Sequence, residues 1–156
     1  MLNTYTRPAA AALILLGASA ATAMTPVEQV TVNVDLAALE NERAATYWNE
    51  IADDLEVAII ERLTPQLSEE GASVEIDLDE VSLANSFEST LGLEENFLIG
   101  DVKISGEPKY TLKVSYEQAA AFFPQTADTD GALYDSPHYY DGMIDAFADN
   151  VVSKLK

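Results

Sequence analysis

The sequence has no cysteine, one histidine (His138), one tryptophan (Trp48) and only eight lysines and arginines among 156 residues. Each scarcity excludes something. Without cysteine there is no disulfide, no thiol nucleophile and no attachment point for the acyl chains of a bacterial lipoprotein, so a folded domain must be stabilised by its core alone. With one histidine, multi-histidine zinc sites are excluded, and any imidazole chemistry falls to His138. So few cations against 27 Asp and Glu argue against nucleic acid, whose phosphates would be repelled with no counterions to release. Anionic lipid surfaces are disfavoured for the same reason. No apolar run reaches the roughly 20 residues that span a bilayer, so a stable membrane anchor is not expected.

What is present at the start has the composition of a targeting segment. Arg7 and the amino terminus give a positive beginning, and Ala9 to Gly17 forms a short apolar core around Leu13, Ile14, Leu15 and Leu16. Small residues follow at signal-peptidase spacing, first Ala18-Ser19-Ala20 and then Ala21-Thr22-Ala23. Residues 1–23 are therefore expected to be a signal peptide, with cleavage after Ala20 as the alternative. Residues 24–156 remain as one periplasmic or secreted domain. At near 130 residues such a domain hides roughly two-thirds of its unfolded surface. Arg7 is the only basic residue before Met24 and no acid precedes it, so the chain from Met24 carries seven cations against 27 anions, a formal charge of −20. Such acidity suits high solubility, a cation or a basic protein partner.

Hydrophobic periodicity then gives the elements. Val30, Val32, Val34 and Leu36 alternate with polar residues, which predicts a half-buried strand. From Asn41 the period lengthens. Ala44, Trp48, Ile51, Leu55, Ala58, Ile59 and Leu63 form one stripe of a helix about 35 Å long at 1.5 Å per residue, ending near Thr64 because Pro65 follows. After a turn at Ser68 to Gly71, period two returns from Val74 to Leu83. Ala84 to Asn96 is a polar connection. Phe97 to Ser105 and Tyr110 to Tyr116 form two further strands joined at Gly106-Glu107-Pro108. Gln125 to Asp135 is a loop, and a last helix starts with Ser136 as N-cap and Pro137 at its first position. Its inner stripe is Tyr140, Ile144, Phe147, Val151 and Leu155, and Lys154 and Lys156 favour its C-terminal dipole. The order β-α-β-β-β-α predicts an α+β two-layer sandwich, a four-stranded mixed sheet with two helices on one face. The first two strands are parallel through a crossover and the last two antiparallel.

The uncovered sheet face carries the candidate binding residues. Glu75, Asp77 and Asp79 point the same way at about 6.6 Å intervals, beside Asn33 and Asp35, with Asp101, Lys103 and Lys113 on neighbouring strands. This face is either ordinary solvated surface or a docking face for a basic partner or a divalent cation. Calcium needs six to eight converging oxygens, for which the loop acids Asp128, Asp130 and Asp135 beside Gly131 are the better source. The loop departs from an EF-hand, with Thr126 where the first Asp belongs and Pro137 where the closing Glu belongs. A small hydrolase would have to combine His138 with these carboxylates, yet no nucleophile-elbow motif accompanies them. No cofactor signature occurs. Phe122, Phe123 and Tyr139 either seal one end of the core or form an exposed apolar lip, while Tyr140 joins the core stripe.

The runs Ala45-Thr46-Tyr47-Trp48-Asn49-Glu50-Ile51, Val74-Glu75-Ile76-Asp77, Val81-Ser82-Leu83-Ala84-Asn85-Ser86-Phe87 and Leu98-Ile99-Gly100-Asp101-Val102, with Tyr139-Tyr140 and Ala146-Phe147-Ala148, resemble a family of small uncharacterised exported bacterial proteins. No activity is attached to that family. The element order is loosely similar to envelope-assembly accessory domains, such as outer-membrane assembly lipoproteins and the amino-terminal domain of the Tol-system β-propeller protein. That likeness implies a fold and a habit of binding protein partners in the cell envelope.

Overall fold

A computed structural model describes residues 24–38, 42–79, 97–123 and 137–156. The first strand, β1, spans Val27–Asn33 and begins three residues before the alternation suggested. A register shift between Val27 and Gln29 puts two exposed residues, Glu28 and Gln29, between buried Val27 and buried Val30. That bulge turns a step of two into a step of three and hides the strand's start from a period-two pattern. The strand also ends earlier than expected. Asp35 accepts a hydrogen bond from Ala37 N–H through Oδ1 at 3.1 Å, an Asx turn that starts a 3₁₀ turn at Leu36–Ala38.

The predicted long helix is broken in two. Helix α1 is Glu42–Tyr47 and helix α2 is Ile51–Leu63. Between them Ile51 N–H donates to Trp48 O at 3.0 Å, a three-residue closure that interrupts the α-helical ladder. The turn drops the Trp48 indole into the core, where it is fully buried and lies 5.5 Å from the Tyr140 ring. The apolar stripe survives the break, because Ile51, Leu55, Ala58, Ile59 and Leu63 are all buried. The expected stop holds, with Pro65 in a 3₁₀ turn at Thr64–Gln66.

Strand β2 is Ala72–Leu78, β3 is Phe97–Ile104 and β4 is Tyr110–Ser115. β2 stops at Leu78 rather than Leu83, with one further bond from Asp79 N–H to Ile99 O; residues 80–96 lie outside the described set. The β3–β4 hairpin turns at Gly106, whose φ of +86° is the left-handed conformation that glycine adopts without strain. The sheet runs β1-β2-β3-β4, with β1 and β2 parallel and the other pairs antiparallel. A parallel pair requires a crossover connection, here containing α1 and α2.

Two elements differ at the C-terminal end. Tyr116 does not extend β4 but starts a short helix, α3, Tyr116–Ala120. Ser115 Oγ accepts from Gln118 N–H while the Gln118 side chain accepts from Ser115 N–H, a reciprocal capping box. The last helix, α4, is Pro137–Ser153; its expected N-cap, Ser136, falls outside the described residues. Tyr139, not Tyr140, is its fully buried tyrosine, stacking 6.2 Å from Tyr116. Tyr140 stands one position round the helix, half-buried, and donates its hydroxyl to Asp54 Oδ2 at 2.6 Å. Phe123 is half-buried and Phe122 is 41% exposed, so the apolar lip divides, with Tyr139 and Phe123 packed and Phe122 outside.

α2 packs against β1, and α4 packs against β3, β4 and α2. Val32, Ile76 and Val114 are buried beneath them with Leu55, Ile59, Phe147 and Val151 in one continuous core. Each such side chain contributes about 1.5–3 kcal/mol on burial. The fold is thus α+β, a four-stranded mixed sheet with helices packed on it. No helix among the described residues is long and apolar enough to cross a membrane.

Candidate functional site

With the helices accounted for, the opposite sheet face is defined by strand alternation. Along β2, Val74, Ile76 and Leu78 are buried while Ser73, Glu75 and Asp77 are exposed. Register then decides which charges meet. Glu75 faces Thr31 on one side and Lys103 on the other, and Asp77 faces Asn33 and Asp101. Glu75 and Lys103 form an open ion pair at 3.7 Å, both side chains more than half exposed, and such pairs contribute little stability. Asp77 and Asp101 place like charges directly opposite each other, which is unfavourable unless one is compensated.

Asp101 is compensated. Lys109 Nζ lies 2.8 Å from its Oδ2, and Thr111 Oγ1 donates to its Oδ1 at 2.7 Å. The hydrogen bond from Lys109, then that from Thr111, hold the Asp101 carboxyl below its ordinary range, and the same contact pushes the Lys109 ammonium up. Asp101 is therefore a fixed anion at neutral pH, unsuited to donating a proton. Lys113 is engaged differently, its ammonium 3.2 Å above the Phe97 ring centroid, a cation–π contact. A shallow depression of about 390 Å³ lies among Asp77, Asp79, Ile99, Asp101 and Thr111.

Of the residues expected on this face, Glu75, Asp77, Asp101, Lys103 and Lys113 belong to its rows and Asn33 faces Asp77, while Asp79 follows the end of β2, its N–H bonded to Ile99 O, and borders the depression. Asp35 lies outside the rows, because β1 ends at Asn33 and the Asp35 carboxylate caps the following turn. Lys109, Thr111, Phe97 and Ile99 complete the surface. Parity would have found them, since positions 97 and 99 continue the row of Asp101 and Lys103, and positions 109 and 111 that of Lys113.

The loop acids Asp128, Asp130 and Asp135 lie outside the described residues. His138 falls in the first turn of α4, and its side chain is likewise outside the described set. Among the described residues no group of three or more His, Asp or Glu is arranged to hold a metal ion. The row of acids on β2 accordingly does not converge as calcium requires.

On the helical side, the seam between α2 and α4 is also acidic. Arg62 Nη2 meets Asp145 Oδ1 at 2.7 Å while its Nη1 donates to Ala58 O. Asp54 receives the Tyr140 hydroxyl. Val57 stands exposed in the same depression as Glu61 and Asp141. Both polar links join the two helices and are accounted for as packing contacts.

No protein-family model, curated protein or solved structure matches the chain.

Proposed function

We propose that the chain is a non-catalytic, soluble binding or accessory module of the bacterial periplasm, whose contact surface for a protein partner of the cell envelope is the open face of the sheet. The observation that carries this reading is the asymmetry of the two layers. One face of the sheet is packed by helices, while the other presents Glu75 and Asp77 at alternate positions of a rigid strand, with the Asp101 anion fixed beside them by Lys109 and Thr111. Carboxylates held in register by strands suit an extended segment whose basic residues recur at the same spacing of about 6.6 Å. The margins of the sheet support the same mode. Among the described residues β4 pairs only with β3, so a partner segment has an edge on which to add as a strand. The reading is non-catalytic because acid–base work needs two carboxyls facing each other across a cleft, whereas Glu75, Asp77 and Asp101 share one open face of the sheet.

The test is site-specific photocrosslinking in the periplasm, with the crosslinking residue at Asp77 on the sheet face or at Asp149 on the exposed side of α4. A discrete adduct from position 77, lost when Glu75 and Asp79 are both changed to lysine and absent from position 149, is the expected result. Equal adducts from both positions, or none from the sheet face, would remove the basis for the proposal.

A further inference from the structure

The two margins of the sheet are built differently. Pro26 O accepts from Ala72 N–H of β2, and successive carbonyls of an extended chain point to opposite sides. Val27 O therefore points away from β2, where it accepts from Ser68 N–H at 2.9 Å while Leu67 bridges to Val27. The outer side of β1 is thus taken at its head. With the bulge that follows and the charge of Glu28, β1 carries devices that keep a margin from pairing. β4 has no bulge, no proline and no acid: Tyr110–Ser115 pairs with β3 at six consecutive positions without a shift.

The side chains of β4 also leave its margin clear. Lys113 leans back over the Phe97 ring of β3, and Lys109 reaches Asp101 of the same strand, so both stems are drawn toward the middle of the sheet. On the helix side, Tyr110 and Leu112 are half-buried, whereas Val74, Ile76, Leu98 and Val102 of the inner strands are buried. Apolar side chains on one more strand would finish covering them. Lys154, 6.0 Å from the Tyr110 ring centroid, adds a third cation to this margin.

We infer that β4 accepts, as a fifth strand, an extended segment of a partner protein in which acidic and apolar residues alternate. The inference rests on reading the chain as a binding module, and it gives the margin a charge preference opposite to that of the open face. The acidic row lies beside Lys109, Thr111 and Lys113, and the apolar row beside Tyr110, Leu112 and Val114. An added strand stands three spacings from β2, about 14 Å. That exceeds the screening length of about 8 Å at physiological ionic strength, so Glu75 and Asp77 do not repel it. Asp101 is nearer and is already paired with Lys109. Among the described residues Lys113 has no carboxylate partner. Its exposed cation–π contact is weak enough for the ammonium to turn to a carboxylate across the margin, where opposite charges on neighbouring strands attract.

The experiment titrates the purified, isotope-labelled protein with two blocked peptides and follows its backbone amide resonances. One peptide alternates valine with glutamate over about seven residues; its twin has lysine at each glutamate. In low salt the glutamate peptide is expected to shift the resonances of Tyr110–Ser115 and to bind at least about fivefold tighter than the twin. That preference should shrink in about 1 M salt, where screening acts within about 3 Å. In Lys113→Glu, its fold checked by Trp48 fluorescence, the preference should pass to the lysine twin. No shift on β4 with about 2 mM glutamate peptide, a twin that binds β4 equally well in low salt, or a preference unchanged by Lys113→Glu overturns the inference. Shifts confined to Glu75 and Asp77 also overturn it and leave the open face standing, since the crosslink from Asp77 tests that reading separately.

Discussion

Gly142 occupies the middle of α4, where glycine costs a helix about 1 kcal/mol relative to alanine. Substituting alanine should therefore stabilise the protein if helix propensity were all that mattered. The structure says otherwise, because a Cβ on Gly142 would enter the Phe123 ring and stand 2.9 Å from Ala119 O. Phe123 is half-buried and packs edge-on to Tyr116 at 5.7 Å, so it can move only by giving up that contact. Overpacking of this kind costs about 1–3 kcal/mol. Set against the gain of about 1 kcal/mol, Gly142→Ala is expected to be destabilising by about 0–2 kcal/mol. Part of the cost should vanish when the ring is removed. In a Phe123→Ala background, itself weaker by about 2 kcal/mol as a half-buried aromatic truncation, only the approach to Ala119 O at 2.9 Å remains, so Gly142→Ala should cost less than in the unchanged protein, giving a coupling of about 1 kcal/mol or more between the sites. Urea unfolding followed through Trp48 fluorescence measures all four chains, since this single tryptophan is buried at 0% exposure and reports loss of the core. A stabilising Gly142→Ala in the otherwise unchanged protein, or strict additivity with Phe123→Ala, would refute the placement of the ring on the helix.

Three further outcomes follow from contacts already described. Phe147→Ala removes a fully buried ring that touches the space above Gly100, and should cost about 3–5 kcal/mol in the same unfolding assay. Tyr140→Phe deletes the hydroxyl that donates to Asp54 across the α2–α4 seam and should cost about 1–2 kcal/mol, as expected for a hydrogen bond to a charged group that is partly solvated. Lys109→Met should raise the Asp101 carboxyl titration toward its ordinary value, followed by carboxyl-carbon NMR. Because the folded-state value is depressed, the stability it confers is present above the unfolded value of about 3.9 and is lost as pH falls through the folded value, so any difference between the two chains should disappear in strong acid.

The layers of this fold were legible because the side-chain periods are unambiguous where packing is regular. Val74, Ile76 and Leu78 alternate without interruption, and Ile51, Leu55, Ile59 and Leu63 repeat at helical steps, so the sheet's inner face and the crossover helix could both be assigned. The departures have local causes that a fixed period does not register. The bulge at Glu28 and Gln29 conceals Val27, and the turn at Trp48 breaks a stripe whose residues from Trp48 to Leu63 are still buried. Ser115 and Gln118 carry a capping signal at the right spacing, overshadowed by the alternation of Tyr110, Leu112, Val114 and Tyr116. The site was legible in its rows and not in its couplings. Strand parity assembles Glu75, Asp77, Asp101, Lys103 and Lys113, whereas the pairing of Asp101 with Lys109 depends on antiparallel register and hairpin length, which only three-dimensional pairing fixes.

The parallel pairing of β1 with β2 has a temporal side. Residues 34–71, 38 positions, separate the two strands, so at roughly 5–20 residues per second β1 exists for about 2–8 s before its neighbour is synthesised. Through that interval the nascent segment is an orphan whose valines have nothing to lie against. Glu28, Gln29, Thr31 and Asn33 interleave those valines with groups that water solvates well, which favours keeping the lone segment in water over its association with other emerging chains.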